Sequence, residues 1–213
     1  MDKSRYIAVE GPIGVGKTSL ARRLAETFNG RLMLEEPADN PMLVDFYKDR
    51  VKNAFKTQLF FLLSRYQQQK ELIQQDLFKP VVISDYLFAK DRIFASINLA
   101  REEQSLYEKV YQLFDVQLPK PDLVLYLHAN TDVLVKNIKK RGHDYEKGID
   151  ADYIEQVAEE YNQFFFSYTE TPLLVVNCSQ IDFIKNQNDY ENLVREIMNT
   201  KKGQHQYVAV GGR

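Results

Sequence analysis

A glycine-rich segment near the start of the chain limits what it can fold into more than any other feature. Residues 11–18 read GPIGVGKT and fit G-x-x-x-x-G-K-[ST], with a strand-like run before them and a helical pattern after them. The glycines let backbone N–H groups turn inward toward phosphate oxygens. Lys17 would supply charge to the β- and γ-phosphates of ATP, and Thr18 would bind Mg²⁺. The expected phosphate-binding residues are Gly11, Gly14, Val15, Gly16, Lys17, Thr18 and Ser19.

Short apolar segments alternate with longer helical patterns along the chain. They predict an α/β fold of the P-loop NTPase type, with three layers and a five-stranded parallel sheet flanked by helices. The predicted strands are Tyr6–Glu10, Arg31–Glu35, Val81–Ser84, Asp122–His128 and Leu173–Asn177. The predicted helices are Lys17–Thr27, Pro41–Lys48, Phe55–Gln75, Phe88–Arg101, Glu102–Val116, Thr131–Arg141, Asp150–Tyr168 and Asp189–Asn199.

Length and composition indicate one domain. The 213 residues fit a single unit over 1–200, and the Gly/Gln/Lys-rich tail 201–213 lacks helical periodicity and is expected to be disordered. A net charge of −2 gives no basic field for a nucleic acid polymer. No apolar run approaches the roughly 20 residues that cross a membrane. The N-terminal residues resemble neither a secretory signal nor a transit peptide, and the single Cys178 cannot form an internal disulfide. A cytoplasmic location is expected.

Two acidic residues follow predicted strands and suggest phosphoryl transfer. Glu36 and Asp85 would lie at the carboxyl edge of the sheet, where ligands of α/β proteins bind. A carboxylate there can take the proton of an attacking alcohol. The N-K-x-D and D-x-x-G strings of signalling GTPases do not occur in the sequence. The acid Asp85 alone leaves open whether water or an alcohol accepts the phosphoryl group.

From Tyr6 to about Met198 the chain resembles the deoxynucleoside kinase family. Glu36 and Pro37 match the Glu-Pro pair that follows the second strand in that family. Tyr47 precedes Gln58 by eleven residues and Arg65 follows it by seven, which resembles the family's substrate pocket. Further matching segments are Asp91–Ser96, which resembles the source of the pocket's acidic partner, Arg141–Ile149, which resembles the lid (about 137–150), and Asp182 with Phe183, which resemble the adenine-contacting loop.

The resemblance implies that ATP phosphorylates the 5′-hydroxyl of a deoxynucleoside in a protein that is usually a homodimer. Asp85 would be the catalytic base and, with Thr18, a Mg²⁺ ligand. Glu36 would hold the 5′-hydroxyl region or a water on Mg²⁺, and Lys17 and Arg141 would contact the phosphates. The remaining substrate-binding residues would be Gln58, Arg65 and Asp91 at the base, and Tyr47 and Glu146 at the sugar 3′-hydroxyl.

The residues themselves leave some of these assignments open. Without the resemblance, Arg65 and Asp91 are equally consistent with a plain surface ion pair. The stripe that contains Tyr107 and Tyr111 fits either core or dimer packing. Retention of the Arg65/Asp91 pair resembles the purine- and cytosine-accepting members, so deoxyadenosine or deoxyguanosine is favoured and deoxycytidine comes next.

The sequence departs from the family at two places. The catalytic acid of the family is normally followed by an arginine, whereas Tyr86 follows Asp85, and Arg92 or a lid residue could supply the charge instead. The lid usually carries several arginines, whereas Arg141 is accompanied here mainly by lysines, which do not grip phosphate in the same bidentate way.

Two other functions compete with this prediction. A nucleoside monophosphate kinase of the thymidylate kinase type shares the loop and the sheet, but it needs an arginine clamp for the acceptor phosphate. A non-catalytic nucleotide-binding module is the other alternative, and the missing switch strings argue against it.

Overall fold

The protein was examined as a computed structural model that describes residues 5–71, 81–179 and 181–207. Within these ranges the strands are β1 (Arg5–Glu10), β2 (Arg31–Met33), β3 (Val81–Ser84), β4 (Leu123–His128), β5 (Leu173–Asn177) and β6 (Gln204–Tyr207). The α-helices are α1 (Lys17–Thr27), α2 (Leu43–Lys48), α3 (Arg50–Lys70), α4 (Lys90–Asn98), α5 (Arg101–Asp115), α6 (Thr131–Arg141), α7 (Ala151–Phe166) and α8 (Gln187–Asn199).

The strands form one sheet in the order β2-β3-β1-β4-β5-β6, with every neighbouring pair parallel. The α/β class and the parallel sheet flanked by helices are confirmed. Successive side chains of β1 alternate between the two faces, as the pleat requires. Tyr6 and Ala8 enter one buried cluster, and Ile7 and Val9 enter the other. Helices cover both faces, which gives the three layers.

The sheet has six strands rather than five. Gln204–Tyr207 pairs with β5, from Leu173↔Gln204 to Val176↔Tyr207, in a segment that was expected to be part of a disordered tail. The first three residues of this edge strand are exposed and only Tyr207 packs on the core. Backbone hydrogen bonds to β5 therefore hold the strand. Its sequence has no apolar pattern from which a strand could have been predicted. Residues 208–213 lie outside the described ranges, so the expected disorder there stays a prediction.

Most predicted elements differ from the observed ones only at their ends. Helix α3 begins at Arg50, earlier than the predicted Phe55, because the Asp49 side chain caps it by accepting a hydrogen bond from Lys52 N at 3.2 Å. The predicted end of this helix at Gln75 lies outside the described residues. Strand β2 ends at Met33, two residues before the predicted Glu35, which frees Glu35 from the sheet.

The sheet positions the site, because parallel strands end at the same edge. Glu10, Met33 and Ser84 end the three neighbouring strands β1, β2 and β3. The residues that follow them include the glycine-rich loop, Glu35 and Asp85. Across the ranges 5–71, 81–179 and 181–207, no helix has the length and apolar character needed to cross a membrane.

Candidate active site

The glycine-rich loop adopts the strained backbone that its sequence predicts. Gly14 has φ 85°, in the left-handed region that glycine favours, and a Cβ there would lie 2.7 Å from the Leu134 carbonyl oxygen. A Cβ on Gly11 would overlap the Leu127 carbonyl oxygen. Both positions therefore require glycine, and the loop packs closely against β4 and α6.

The Lys17 side chain folds back over the loop, and its surroundings disfavour its positive charge. Its Nζ donates to the Gly11 carbonyl at 2.7 Å and to the Pro12 carbonyl at 3.1 Å. Burial, followed by the nearby positive charge of Lys90, lowers the pKa of Lys17 to about 8. Two ammonium groups that repel each other favour binding of an anion between them.

Asp85 connects the loop to the neighbouring strands. Thr18 Oγ1 donates to Asp85 Oδ2 at 2.6 Å, and Glu35 N donates to Asp85 Oδ1 at 2.8 Å. The Asp85 carboxylate is only 4% exposed, and burial raises its pKa above the ordinary aspartate value. The two residues predicted to bind Mg²⁺ are therefore in direct contact, and Asp85 has the raised basicity that a proton acceptor needs.

Glu35, the neighbour of the predicted Glu36, pairs with the two buried cations of the cleft. Glu35 Oε1 accepts from Arg65 Nε at 2.7 Å, and Oε2 accepts from Lys90 Nζ at 2.6 Å. Glu36 lines the cleft but is exposed. Burial alone would raise the pKa of Glu35, but Arg65 and Lys90 hold it well below its usual value. The prediction missed Glu35 because an uninterrupted strand to Glu35 was assumed.

Arg65 and Asp91 form a buried ion pair rather than a surface one. Arg65 Nη1 donates to Asp91 Oδ1, which also accepts from Tyr107 OH at 3.1 Å. Arg65 is 4% exposed and Asp91 is fully buried. Burial raises the pKa of Asp91 to about 6, although Arg65 opposes the shift. Asp91 does not line the cleft, so it acts on the cleft through Arg65 in this structure.

Tyr86 stands where the family has an arginine, and the buried cation found in this part of the cleft is Lys90. Tyr86 turns away into the core, where it is fully buried and its OH donates to Gln68 Oε1 at 2.9 Å. Arg92 is half-exposed and pairs with Glu108 at 3.2 Å, so the prediction that it could supply the missing charge is wrong. Lys90 is 6% exposed, and it lines the cleft next to Glu35. No sequence motif identified Lys90. It is the first residue of α4, and the turn between β3 and α4 places it at the cleft.

A third missed residue, Glu10, fixes the start of the loop through hydrogen bonds. Its Oε1 accepts from Gly11 N at 2.8 Å and from Tyr161 OH at 3.0 Å, and its Oε2 accepts from Leu87 N at 2.7 Å. Glu10 is fully buried and ends β1. An acid at the end of an otherwise apolar buried strand was the signal that could have identified it.

Residues of the segment predicted to form a lid line one side of the cleft. Arg141 ends α6 and pairs with Glu146, whose side chain is 5% exposed. Tyr47 lines the cleft with both of them. Burial raises the pKa of Tyr47 well above its ordinary value, so its hydroxyl stays protonated. Gly148 lies against the Tyr47 backbone, and a Cβ there would lie 3.3 Å from the Tyr47 carbonyl oxygen.

The residues predicted to contact adenine lie on the far side of the loop. Phe183 is buried, and a Cβ on Gly16 would lie 3.5 Å from its ring. Asp182 Oδ1 accepts from Lys185 N at 3.0 Å and so shapes the turn before α8. Neither residue lines the main cleft, and their role with adenine stays a prediction.

One cleft of about 570 Å³ brings most of the predicted residues together. Its size suits a small ligand beside a nucleotide. The glycine-rich loop and Asp85 line one part of it, and Gln58 and Arg65 of helix α3 line another. Predicted residues that line it are Gly14, Gly16, Lys17, Thr18, Ser19, Glu36, Tyr47, Gln58, Arg65, Asp85, Arg141 and Glu146. Predicted residues that do not line it are Gly11, Val15, Asp91, Asp182 and Phe183.

Comparisons with known proteins found a family model, curated relatives and solved structures that match this chain. A family model described as "Deoxynucleoside kinase" matches residues 7–201. A deoxyguanosine kinase of Bacillus subtilis is 35% identical over 202 residues, which cover 92% of this chain and 98% of that protein. A deoxyadenosine kinase of Dictyostelium discoideum is 32% identical over 179 residues, which cover 82% and 73%. A solved deoxyadenosine kinase from M. mycoides, with dCMP and a flexible dCDP bound, superposes with a TM-score of 0.80 at 25% identity and covers 91% of this chain and 99% of that one.

Proposed function

Because the chain belongs to the deoxynucleoside kinase family and is therefore an ATP-dependent kinase of deoxynucleosides, we propose that it phosphorylates the 5′-hydroxyl of a purine deoxynucleoside. The observation that carries the proposal is the arrangement of one cleft. Asp85 contacts Thr18 of the phosphate loop at one end, and Gln58 and Arg65 line the other. A donor nucleotide and an uncharged acceptor would thus meet at a buried carboxylate.

The free N–H groups of Arg65 support a purine as the acceptor base, and guanine fits them better than adenine. A guanidinium has five N–H groups. Arg65 uses Nε and Nη2 on Glu35 and one N–H of Nη1 on Asp91. The two remaining N–H groups suit paired acceptors, as O6 and N7 of guanine are. Gln58 adds a donor and an acceptor in one amide. Deoxyguanosine is therefore the first substrate to test, with deoxyadenosine and deoxycytidine after it.

Asp85 is the better base of the two central acids. Burial raises the pKa of Asp85, whereas Arg65 and Lys90 neutralise Glu35 and keep its pKa low. A carboxylate held by two cations is a poor proton acceptor, since protonation would break both pairs. Asp85 would take the 5′-hydroxyl proton as the new P–O bond forms. Glu35 would position Lys90 and Arg65.

The oxygen atoms at Thr18 and Asp85 fit Mg²⁺ held jointly with phosphates. In the described part of the chain, no group of three or more His, Cys, Asp or Glu side chains could hold a metal alone. Mg²⁺ often keeps one or two protein ligands and completes its shell with phosphate oxygens and water. When bound, it would neutralise charge on the β- and γ-phosphates. Thr18 and Asp85 would hold it.

A homodimer remains a proposal. The α5 stripe could serve core packing or dimer packing. Tyr107 and Tyr111 on this helix are buried in the core. Leu106 and Leu113 on the same helix are exposed by 53% and 66%. Two large apolar side chains in solvent support a partner surface there.

An ATP-consumption assay tests the proposed function. The wild-type protein is offered deoxyguanosine, deoxyadenosine, deoxycytidine and the matching monophosphates, each with ATP and Mg²⁺. Turnover with the nucleosides and highest kcat/KM for a purine is expected. Turnover confined to monophosphates would indicate the thymidylate kinase type of activity instead, and no turnover with any acceptor would favour a binding module.

Replacing Lys90 by methionine should lower kcat/KM by about 10²-fold, as expected when one charge on the reacting phosphoryl group is lost. Lys90 Nζ lies 2.6 Å from Glu35 and close enough to Lys17 to lower its pKa. The matched control is Arg92→Gln, which removes a half-exposed charge paired with Glu108 and should change little. Steady-state kinetics on both variants would decide. A lower kcat/KM in Arg92→Gln with no change in Lys90→Met would mean that Arg92, not Lys90, supplies the charge.

A further inference from the structure

Glu10 is a fully buried carboxylate that does not line the cleft. Within the described residues its hydrogen-bond donors are neutral groups: the backbone N–H of Gly11 at 2.8 Å, the backbone N–H of Leu87 at 2.7 Å and the hydroxyl of Tyr161 at 3.0 Å. Burying a charge that no cation bonds directly costs free energy, and a neutral side chain would avoid that cost. The position therefore calls for a role that a carboxylate fills and a neutral side chain does not.

The two oxygens of Glu10 join two segments that carry cations of the cleft. Oε1 accepts from Gly11 N, and the Gly11 carbonyl in turn accepts from Lys17 Nζ at 2.7 Å. Oε2 accepts from Leu87 N, and the Leu87 carbonyl accepts from the backbone N of Lys90 at 3.0 Å, where α4 begins. Lys17 and Lys90 are thus each linked to the same carboxylate through the backbone of a single residue.

We propose that Glu10 is a positioning residue for phosphoryl transfer, whose carboxylate fixes the separation between the phosphate loop and the turn that joins β3 to α4. Lys17 belongs to the first segment, and Asp85 and Lys90 lie at the two ends of the second. Because the positive charges of Lys17 and Lys90 repel each other, their separation needs such a restraint. The inference rests on the proposed roles of Asp85 and Lys90 and is independent of which deoxynucleoside is the acceptor.

Only a side chain with two separate acceptor atoms and the length of glutamate makes this bridge. Glutamine has the same length but one acceptor oxygen, so its NH₂ group would face the N–H of either Gly11 or Leu87. Aspartate keeps both acceptors and the charge, but it is shorter by one methylene group and would not reach both segments in this geometry. Glu10→Gln and Glu10→Asp therefore break the bridge in two different ways.

Steady-state kinetics of Glu10→Gln and Glu10→Asp test the proposal, with ATP, Mg²⁺ and the deoxynucleoside that the wild-type protein uses best. The assay is run at a temperature at which melting curves show every variant to be folded. In both variants kcat should fall by at least about tenfold, toward the roughly 10²-fold that a displacement of about an ångström costs. KM for the deoxynucleoside should change by less than about threefold, because groups needed only in the transition state affect kcat and leave substrate binding unchanged.

Tyr161→Phe is the matched control, because it removes the third donor to the same carboxylate and leaves the bridge between Gly11 and Leu87 in place. Tyr161 is fully buried on α7 and does not line the cleft. The variant should melt at a lower temperature, since a buried hydrogen bond is lost, and its kcat should stay within about threefold of the wild-type value. A loss of stability around Glu10 would then be separated from a loss of positioning.

A normal kcat in either folded Glu10 variant would overturn the inference: in Glu10→Gln it would mean that the bridge is not needed, and in Glu10→Asp that the charge suffices. Equal kcat losses in Tyr161→Phe and in the Glu10 variants would assign the effect to packing around the carboxylate. Failure of both Glu10 variants to fold, while Tyr161→Phe folds, would give Glu10 a role in the fold alone. These results leave the proposed function standing, whereas a wild-type protein that turned over no deoxynucleoside would remove the function and this inference with it.

Discussion

Replacing Asp85 by asparagine should lower kcat by about 10²–10⁴-fold, the usual contribution of a positioned general base. Asparagine keeps the size of the side chain but cannot accept the 5′-hydroxyl proton. ATP affinity should fall far less, because Lys17 and the loop N–H groups provide most of the phosphate contacts. Asp85 lies 2.6 Å from Thr18 and 2.8 Å from the Glu35 amide, so the loss of charge falls at the centre of the cleft.

The pH dependence gives this prediction a second measurement. Burial raises the pKa of Asp85, and a base works only when deprotonated. The wild-type kcat/KM for ATP, which reports the enzyme before nucleotide and Mg²⁺ bind, should therefore fall as the pH drops through a value above the ordinary aspartate pKa, and this acidic limb should be missing in Asp85→Asn. Asp45→Asn, which removes an exposed carboxylate on α2 outside the cleft, is the control. A normal kcat in Asp85→Asn would move the base elsewhere, with Glu36 the first residue to test, since Arg65 and Lys90 make Glu35 a poor proton acceptor.

Replacing Glu35 by glutamine should damage both stability and activity, whereas the same change at Glu36 should do neither. Glu35 is the shared acceptor of Arg65 and Lys90, and its side chain is 13% exposed. Breaking a buried pair from one side costs about 3 kcal/mol or more. For a chain of this length, that loss lowers the melting temperature by roughly 6–12 °C.

The catalytic loss in Glu35→Gln should also be large. Lys90 and Arg65 would lose the carboxylate that fixes their positions, and misplacement by about an ångström can cost roughly 10²-fold in rate. Glu36 is exposed at the cleft rim, so Glu36→Gln should change stability by no more than about 0.5 kcal/mol. Melting curves and kcat/KM for the two neighbouring variants make the comparison. The reverse pattern would restore Glu36 to the role that the resemblance gave it.

The pair Glu35 and Glu36 shows where reasoning from the sequence stops. In the sequence, two adjacent glutamates at the end of a strand cannot be told apart by their type. The Glu-Pro pattern of the family led to the choice of Glu36 as the site residue. Strand β2 ends at Met33, so the chain turns before both of them, and this turn directs Glu35 inward. Side-chain direction depends on where the strand stops, and strand ends are set by neighbouring contacts.

The role of Lys90 could not be read from the sequence for a related reason. Lys90 is one of 28 lysines and arginines, and nothing in its local spacing separates it from a solvated charge. It became informative only when packing showed that it is the cation buried beside Glu35. Long-range contacts of this kind leave no local pattern.

The sequence alone determined the parts that depend on local chemistry. GPIGVGKT between a strand and a helix required glycine backbone angles and a phosphate site, and alternating apolar segments required a parallel α/β sheet. Only the tertiary structure decided which of two glutamates is buried between Arg65 and Lys90, that Lys90 rather than Arg92 lines the cleft, and that Gln204–Tyr207 adds a sixth strand. The physical reason is that local propensity and pattern fix the backbone elements, whereas the direction and burial of a side chain depend on residues far away in the chain.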